Sequence, residues 1–114
     1  MGGVNVCVTI PAHNSEAYIG RTIASLNRQR LRPETIVVVD DSSTDRTAKV
    51  AESLGAYVVS IKRRYVSATG TPLLALIINA GIKICIDTGC RYVMISGSDD
   101  VYPRNYVHDL VRRM

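Results

Sequence analysis

The run Thr35-Ile36-Val37-Val38-Val39-Asp40-Asp41-Ser42-Ser43-Thr44-Asp45 decides how this chain is read. Its first half is an unbroken, largely β-branched segment, which reads as a strand buried on both faces of a parallel sheet. Two carboxylates fall at the strand's C-terminal end. Ser42-x-x-Asp45 follows, a capping-box pattern that starts a helix. Open α/β sheets bind ligands at this lip. Asp is also a common turn and cap residue, so the pair alone supports either reading. A second acidic pair, in Ser98-Asp99-Asp100, follows another apolar segment and tips the balance toward a site.

Outward from this run, strands and helices alternate. Val4 to Ile10 reads as the first strand, broken at Pro11-Ala12-His13-Asn14-Ser15. Asn14 or Ser15 can cap a first helix from Glu16 to about Arg30, with Ile19, Ile23 and Leu26 as its buried stripe. Arg32-Pro33 ends it. A second helix runs from about Thr44 to Leu54 and stops at Gly55. Ala56 to Ile61 is a third strand, and Lys62 to Thr69 a basic loop. Pro72 opens a third helix over 72–88 that is apolar nearly all round and calls for cover on more than one side. Gly89 ends it. Arg91 to Ile95 is a fourth strand, Ser96 to Tyr102 the second acidic loop, and Arg104 to Met114 a last helix.

This alternation predicts a Rossmann-like, three-layer α/β/α domain with a mostly parallel four-stranded sheet in the order 3-2-1-4. The switch point then lies between strands 1 and 4. It brings together the loops Pro11–Ser15 and Gly97–Asp100, with Asp40 and Asp41 beside them.

A chain of 114 residues builds one core. The charge of +4 allows attraction to phosphates or to an anionic membrane face. Tyr is the sole aromatic type, which leaves little stacking equipment for single-stranded nucleic acid, and none is expected as a partner. Cys7, Cys85 and Cys90 show no C-x-x-C spacing, so zinc is not expected; buried free thiols in a reducing compartment are. No signal-peptide pattern opens the sequence. The third helix carries Asn79 and Lys83 and is too short to span a bilayer. The expected location is cytoplasmic, with peripheral attachment at the inner membrane face as a variant, and the apolar third helix is a candidate surface for homo-oligomers.

Neither a Walker A loop nor G-x-G-x-x-G is present. Asp40 to Asp45 lacks the Gly and Glu of a calcium loop. His13 suits a ligand or acid–base group and equally a hydrogen-bonded structural role; His108 reads as surface. Two acidic loops suit a nucleotide with a bound cation. One carboxylate accepts from a base N–H or ribose hydroxyls, and another holds Mg²⁺ or Mn²⁺ shared with phosphates. The start of the first helix adds backbone donors nearby.

Val8-Thr9-Ile10-Pro11-Ala12-His13-Asn14-Ser15-Glu16, the Val39–Asp45 run, Asn79-x-Gly81, and Tyr92 through Pro103 together resemble family 2 glycosyltransferases. The resemblance covers nearly the whole chain, in order. It implies a GT-A fold and transfer of a sugar from a nucleotide-diphosphate donor, commonly a UDP-sugar, to an unknown acceptor with inversion. It also implies that Pro11, Ala12, His13, Asn14, Asp40, Asp41, Arg63 (or Arg64), Ser98 and Asp99 line the nucleotide, and that Asp100, with Asp99, holds Mg²⁺ or Mn²⁺. Gly97 departs from the family's Asp-x-Asp-Asp pattern by replacing its first acid. Family domains usually run to about twice this length, the later half supplying the acceptor pocket and a carboxylate general base. Residues 1–114 therefore read as a single donor-binding domain without that half, and no catalytic base is assigned. The alternative is a non-catalytic nucleotide-sugar or metal-binding module, or a subunit completed by another chain.

Overall fold

The computed structural model describes residues 5–62 and 72–114. Arg63 and Arg64 lie outside the described residues. The elements are β1 (Val6–Ala12), α1 (Ile19–Asn27), β2 (Thr35–Asp41), α2 (Thr47–Ser53), β3 (Tyr57–Ile61), α3 (Pro72–Asp87), β4 (Tyr92–Ile95) and α4 (Tyr106–Arg112). The sheet order is β3-β2-β1-β4 and all three pairings are parallel, as the alternation predicts.

Strand periodicity divides the core in two. Val6, Val8, Ile10 and Ala12 of β1, with Ile36 and Val38 of β2, meet Ile19, Ile23 and Leu26 of α1, Ala51 of α2 and Val107 of α4. The alternate residues, Cys7, Val37 and Val39, meet Ile77 and Cys85 of α3 on the other face. The β2 run is apolar throughout because both of its faces are covered.

β1 extends two residues past Ile10, through Pro11, which the sequence reading takes as a break. The ladder explains why. Thr9 accepts a hydrogen bond from the Ser96 amide, so its backbone polar groups face the β4 side. Those of Pro11 face the same way, beyond the last β4 pairing at Ile95, where no amide is required.

α3 approaches the sheet closely. A Cβ built on Gly81 would sit 1.8 Å from Thr9 Oγ1 and 3.2 Å from Val39 Cγ2, so this contact admits only glycine. Thr9 Oγ1 is buried there and, among the described residues, is the side-chain polar atom left without a partner. The outer face of α3 stays open: Leu76 is 64% and Ile86 60% exposed, so a single sheet covers only one side of this apolar helix.

The cysteines correct the expectation of three free thiols. Cys7 and Cys90 are joined in a disulfide with Cα atoms 5.9 Å apart, tying β1 to the approach to β4. Cys7 pairs with Val93, three residues beyond Cys90, and the two cysteines are 83 apart in sequence, so composition gives no hint of the bond. Cys85 alone is free and buried. Desolvation raises its thiol pKa, which is the state of an inert core cysteine.

Gly81→Ala should cost about 1–3 kcal/mol or prevent folding, because Thr9 sits on rigid backbone and cannot yield. Thr9→Val should be neutral or stabilising, since it removes a buried unpaired hydroxyl at constant shape. Denaturant unfolding of both variants checks the pair, and a severe loss in Thr9→Val would contradict the view that its hydroxyl is unpartnered.

Candidate functional site

Because β1, β2 and β4 run the same way, their following loops leave from one sheet edge. Polar contacts then stitch the loops together. Asn14 is left-handed, with φ of 46°. Its amide donates to Ser43 Oγ at 2.9 Å and its Oδ1 accepts from the Thr44 amide at 2.8 Å. Ser42 is also left-handed, at φ 56°, and bonds the Ile61 carbonyl through both its amide and its hydroxyl. Two such non-glycine residues in facing loops are held by their surroundings rather than by local preference. His13 Nδ1 lies 2.7 Å from the Asp41 carbonyl oxygen, which can only accept, so Nδ1 carries the proton. Nε2 then accepts from Asn14 Nδ2 at 3.2 Å. His13 thus bridges the two loops.

The first helix does not present the free amides expected of it. The amides of Asn14, Ser15 and Glu16 donate to Ser43 Oγ, Thr47 Oγ1 and Asp45 Oδ2 of the β2–α2 loop. α1 begins at Ile19 rather than Glu16, and neither Asn14 nor Ser15 caps it through a side chain: the Ser15 carbonyl accepts from Tyr18 and Ile19 while Ser15 Oγ turns to His13 O and Ser98 Oγ. α1 also ends earlier than read, at Asn27, and the Gln29 side chain beyond it turns inward. Likewise α2 starts at Thr47, not Thr44. Asp45, not Ser42, supports its start, accepting from both the amide and the hydroxyl of Thr47. Burial tends to raise the Asp45 carboxyl, but the bonds from Thr47 and the Glu16 amide outweigh it and lower its pKa.

The second acidic loop is built around Gly97. Its amide donates to Asp100 Oδ2 at 3.1 Å. A Cβ at this position would lie 2.9 Å from Asp100 Oδ2 and 3.3 Å from Asp99 Oδ1, so both carboxylates converge where the family's first acid would stand. Tyr102 Oη donates to Ser96 Oγ at 2.8 Å and lies 3.5 Å from Asp100 Oδ2. Burial and the Asp100 charge raise the Tyr102 pKa against the Ser96 bond, so its hydroxyl stays protonated. Ser15 Oγ and Ser98 Oγ meet at 2.9 Å and join this loop to the first.

The expected site residues fall unevenly. Asp99 and Asp100 are exposed at the edge, whereas Asp40 and Asp41 are buried at 6% and 3%. As neighbours on β2 they point to opposite faces. Asp40 Oδ1 accepts from the Ser43 amide at 3.3 Å. The Ala12 side chain belongs to the core, so only its backbone can face a ligand. Among the described residues no three His, Cys, Asp or Glu side chains gather as a metal cluster. A cation here would rest on Asp99 and Asp100 and take its remaining oxygens from water or a ligand. That donor set fits Mg²⁺ or Mn²⁺, which commonly bind through one or two carboxylates plus phosphates.

The apolar-stripe reading of α1 passes over a polar stripe that runs along the helix and on to Gln29 just past its end. Thr22, Ser25 and Gln29 are all buried and bond to the segment that carries the second acidic pair. The signal was present as i, i+3, i+7 spacing beside Ile19, Ile23 and Leu26.

Residues 7–114 match the family described as Glycosyl transferase family 2. The chain belongs to this family. Among curated proteins it is similar to the 4,4'-diaponeurosporenoate glycosyltransferases of Staphylococcus aureus (strain bovine RF122 / ET3-1) and Staphylococcus haemolyticus, at 42% identity over 57 residues, which is 50% of this chain and 15% of each relative. Among solved structures it resembles S. aureus TarS in complex with UDP (TM-score 0.76, 28% identity), over 96% of this chain and 31% of that one. It also resembles Mycobacterium tuberculosis glucosyl-3-phosphoglycerate synthase with Mn²⁺, UDP and glucosyl-3-phosphoglycerate (TM-score 0.61, 26% identity), over 90% of this chain and 36% of that one. The family 2 chain therefore spans about a third of these structures and less of the curated relatives. Its four-stranded order is that of their GT-A fold. Among the described residues no helix is long and apolar enough to cross a membrane.

Asp45→Ala should lower stability at neutral pH by about 1 kcal/mol, the usual cost of losing a side-chain cap. Its folded pKa is depressed, so the contribution is complete above the unfolded value and is lost as pH falls through the folded one. Urea unfolding at neutral pH and again in acid, below the ordinary Asp pKa, should show the gap between variant and parent closing in acid.

Proposed function

We propose that this chain is the donor-binding part of a glycosyltransferase that takes a sugar from a nucleotide-diphosphate donor, with UDP as the nucleotide and Mg²⁺ or Mn²⁺ as the cation. The reading is carried by one observation: the parallel sheet brings the β2 carboxylates and the Asp99–Asp100 pair to a single edge, where Ser15 and Ser98 join the loops. Likeness at 28% and 26% identity to structures holding UDP supports the choice of nucleotide.

In this reading Pro11 and the backbone of Ala12 flank the base, and Asp40 or Asp41 accepts from its N–H groups. The Asp40 carboxylate, buried and held by the Ser43 amide, stays oriented for that contact. Ser98 and Asp99 face the ribose. Asp100, held by the Gly97 amide, would hold the cation, with Asp99 beside it. A bound divalent cation would offset diphosphate charge and stabilise it as the leaving group. His13 and Asn14 act by fixing the two loops rather than by proton transfer. The reading extends to transfer with inversion; the chain spans 31% and 36% of the two UDP-bound structures, and no general base is assigned among its residues.

Calorimetric titration of UDP into the folded chain should show binding that depends on Mn²⁺ and is weakened at least about tenfold in Asp100→Ala. Equal binding by the variant, or binding indifferent to the metal, would exclude Asp100 as the principal cation ligand.

A further inference from the structure

We propose that a buried polar stripe, formed by Thr22 and Ser25 of α1 and by Gln29 just past its end, is the positioning device that sets the Asp99–Asp100 loop for its ligand. This inference rests on the donor-site reading for its purpose, though not for its geometry.

A helix facing a core is normally apolar, and polar groups placed there are costly unless hydrogen-bonded. Thr22, Ser25 and Gln29 are 0%, 2% and 4% exposed. Each directs a side chain at the connection between β4 and α4. Thr22 Oγ1 donates to the Ser98 carbonyl at 3.1 Å. Ser25 Oγ accepts from the Tyr102 amide at 3.1 Å while donating to the Thr22 carbonyl at 2.8 Å. Gln29 Nε2 donates to the Pro103 carbonyl at 2.6 Å, and its Oε1 accepts from the Val107 amide at 2.9 Å.

The bonds from Thr22 and Ser25 bracket the acidic pair. Only Asp99, Asp100 and Val101 lie between the clamped Ser98 carbonyl and the clamped Tyr102 amide. Tyr102 then carries the constraint back, because its hydroxyl reaches Ser96 Oγ and lies beside Asp100 Oδ2. The stretch from Ser96 to Asn105 forms neither helix nor strand, so no ladder of its own fixes it. Apolar residues at these α1 positions would bury as much surface and still leave the loop's backbone free to slide. Gln29 serves a second end of the same connection, seating the start of α4. The division of labour is specific: Thr22 and Ser25 govern the carboxylates, and Gln29 governs the helix that follows.

Thr22→Val and Ser25→Ala, singly and together, test this against Thr22→Ser, which keeps the hydroxyl. Mn²⁺ affinity in the presence of UDP, read by the electron paramagnetic resonance of free Mn²⁺, should fall about tenfold in the double variant and return to within about twofold of the parent in Thr22→Ser. Thermal unfolding should stay cooperative in each single variant. Amide hydrogen exchange of Gly97 and Tyr102 should accelerate in Thr22→Val and Ser25→Ala while that of Val8 and Val38 in the sheet does not. Unchanged affinity with unchanged exchange would overturn the proposal, as would exchange that rises uniformly across the fold, the mark of a purely structural role. If the parent binds no Mn²⁺–UDP, the donor-site reading fails instead, and the exchange pattern still decides whether the stripe orders the loop. If the double variant does not fold, the two single variants carry the same comparison.

Discussion

Every loop at the ligand edge takes its position from β1, which is hydrogen-bonded on both sides and buried on both faces. Its ladder with β2 runs to Ala12 opposite Asp40, and its ladder with β4 runs to Thr9 opposite Ile95. These registers determine where the carboxylates that follow β2 and β4, the two neighbours of β1, emerge relative to the β1–α1 loop. A shift of one residue would move Val8 and Ile10 to the α3 face and reverse the two cores. The close seat of Gly81 over Thr9 locks the strand from one face, while Ile19, Ile23 and Leu26 cover the other. The topological switch beside β1 is thus enforced by packing on both sides of the sheet.

On this frame the loops are held by short polar links rather than by hydrophobic cover. Asn14, His13 and Ser43 cross-link the first two loops, and Ser15 with Ser98 brings in the third. The amides leading into α1 are consumed by Asp45, Thr47 and Ser43. An anionic ligand at this edge therefore cannot rely on those amides. His13, with both ring nitrogens engaged, acts as a strut between loops.

The fold was almost wholly legible in the sequence. The β-branched Thr35–Val39 run, the glycines at 55 and 89, both with φ of 89°, and the alternation of apolar periods lead to the same parallel order that the structure has. What escaped was set by contacts distant in sequence. Pro11 continues β1 because β4 has already ended beside it. The Cys7–Cys90 bond spans 83 residues. Asn14, Ser15 and Ser42 are ordinary cap residues by type, yet their side chains are claimed by other segments, and the helices start later than those residues suggest. The alternation and its switch point place the acidic loops at one edge, but neither they nor the resemblance to family 2 tells which side chains touch ligand and which hold loops. That distinction depends on burial, which separates Asp40 and Asp41 from Asp99 and Asp100.

The central claim is that three loops at one sheet edge form a single nucleotide site. Its most direct test is a ¹⁵N-correlated NMR titration of the folded chain with UDP and Mg²⁺, followed by a trace of Mn²⁺. Shift changes should cluster at residues 12–15, 40–43 and 96–100, with paramagnetic broadening centred on Asp99 and Asp100. Changes centred instead on the groove between Pro103 and Arg113, or spread without a centre, would contradict the claim.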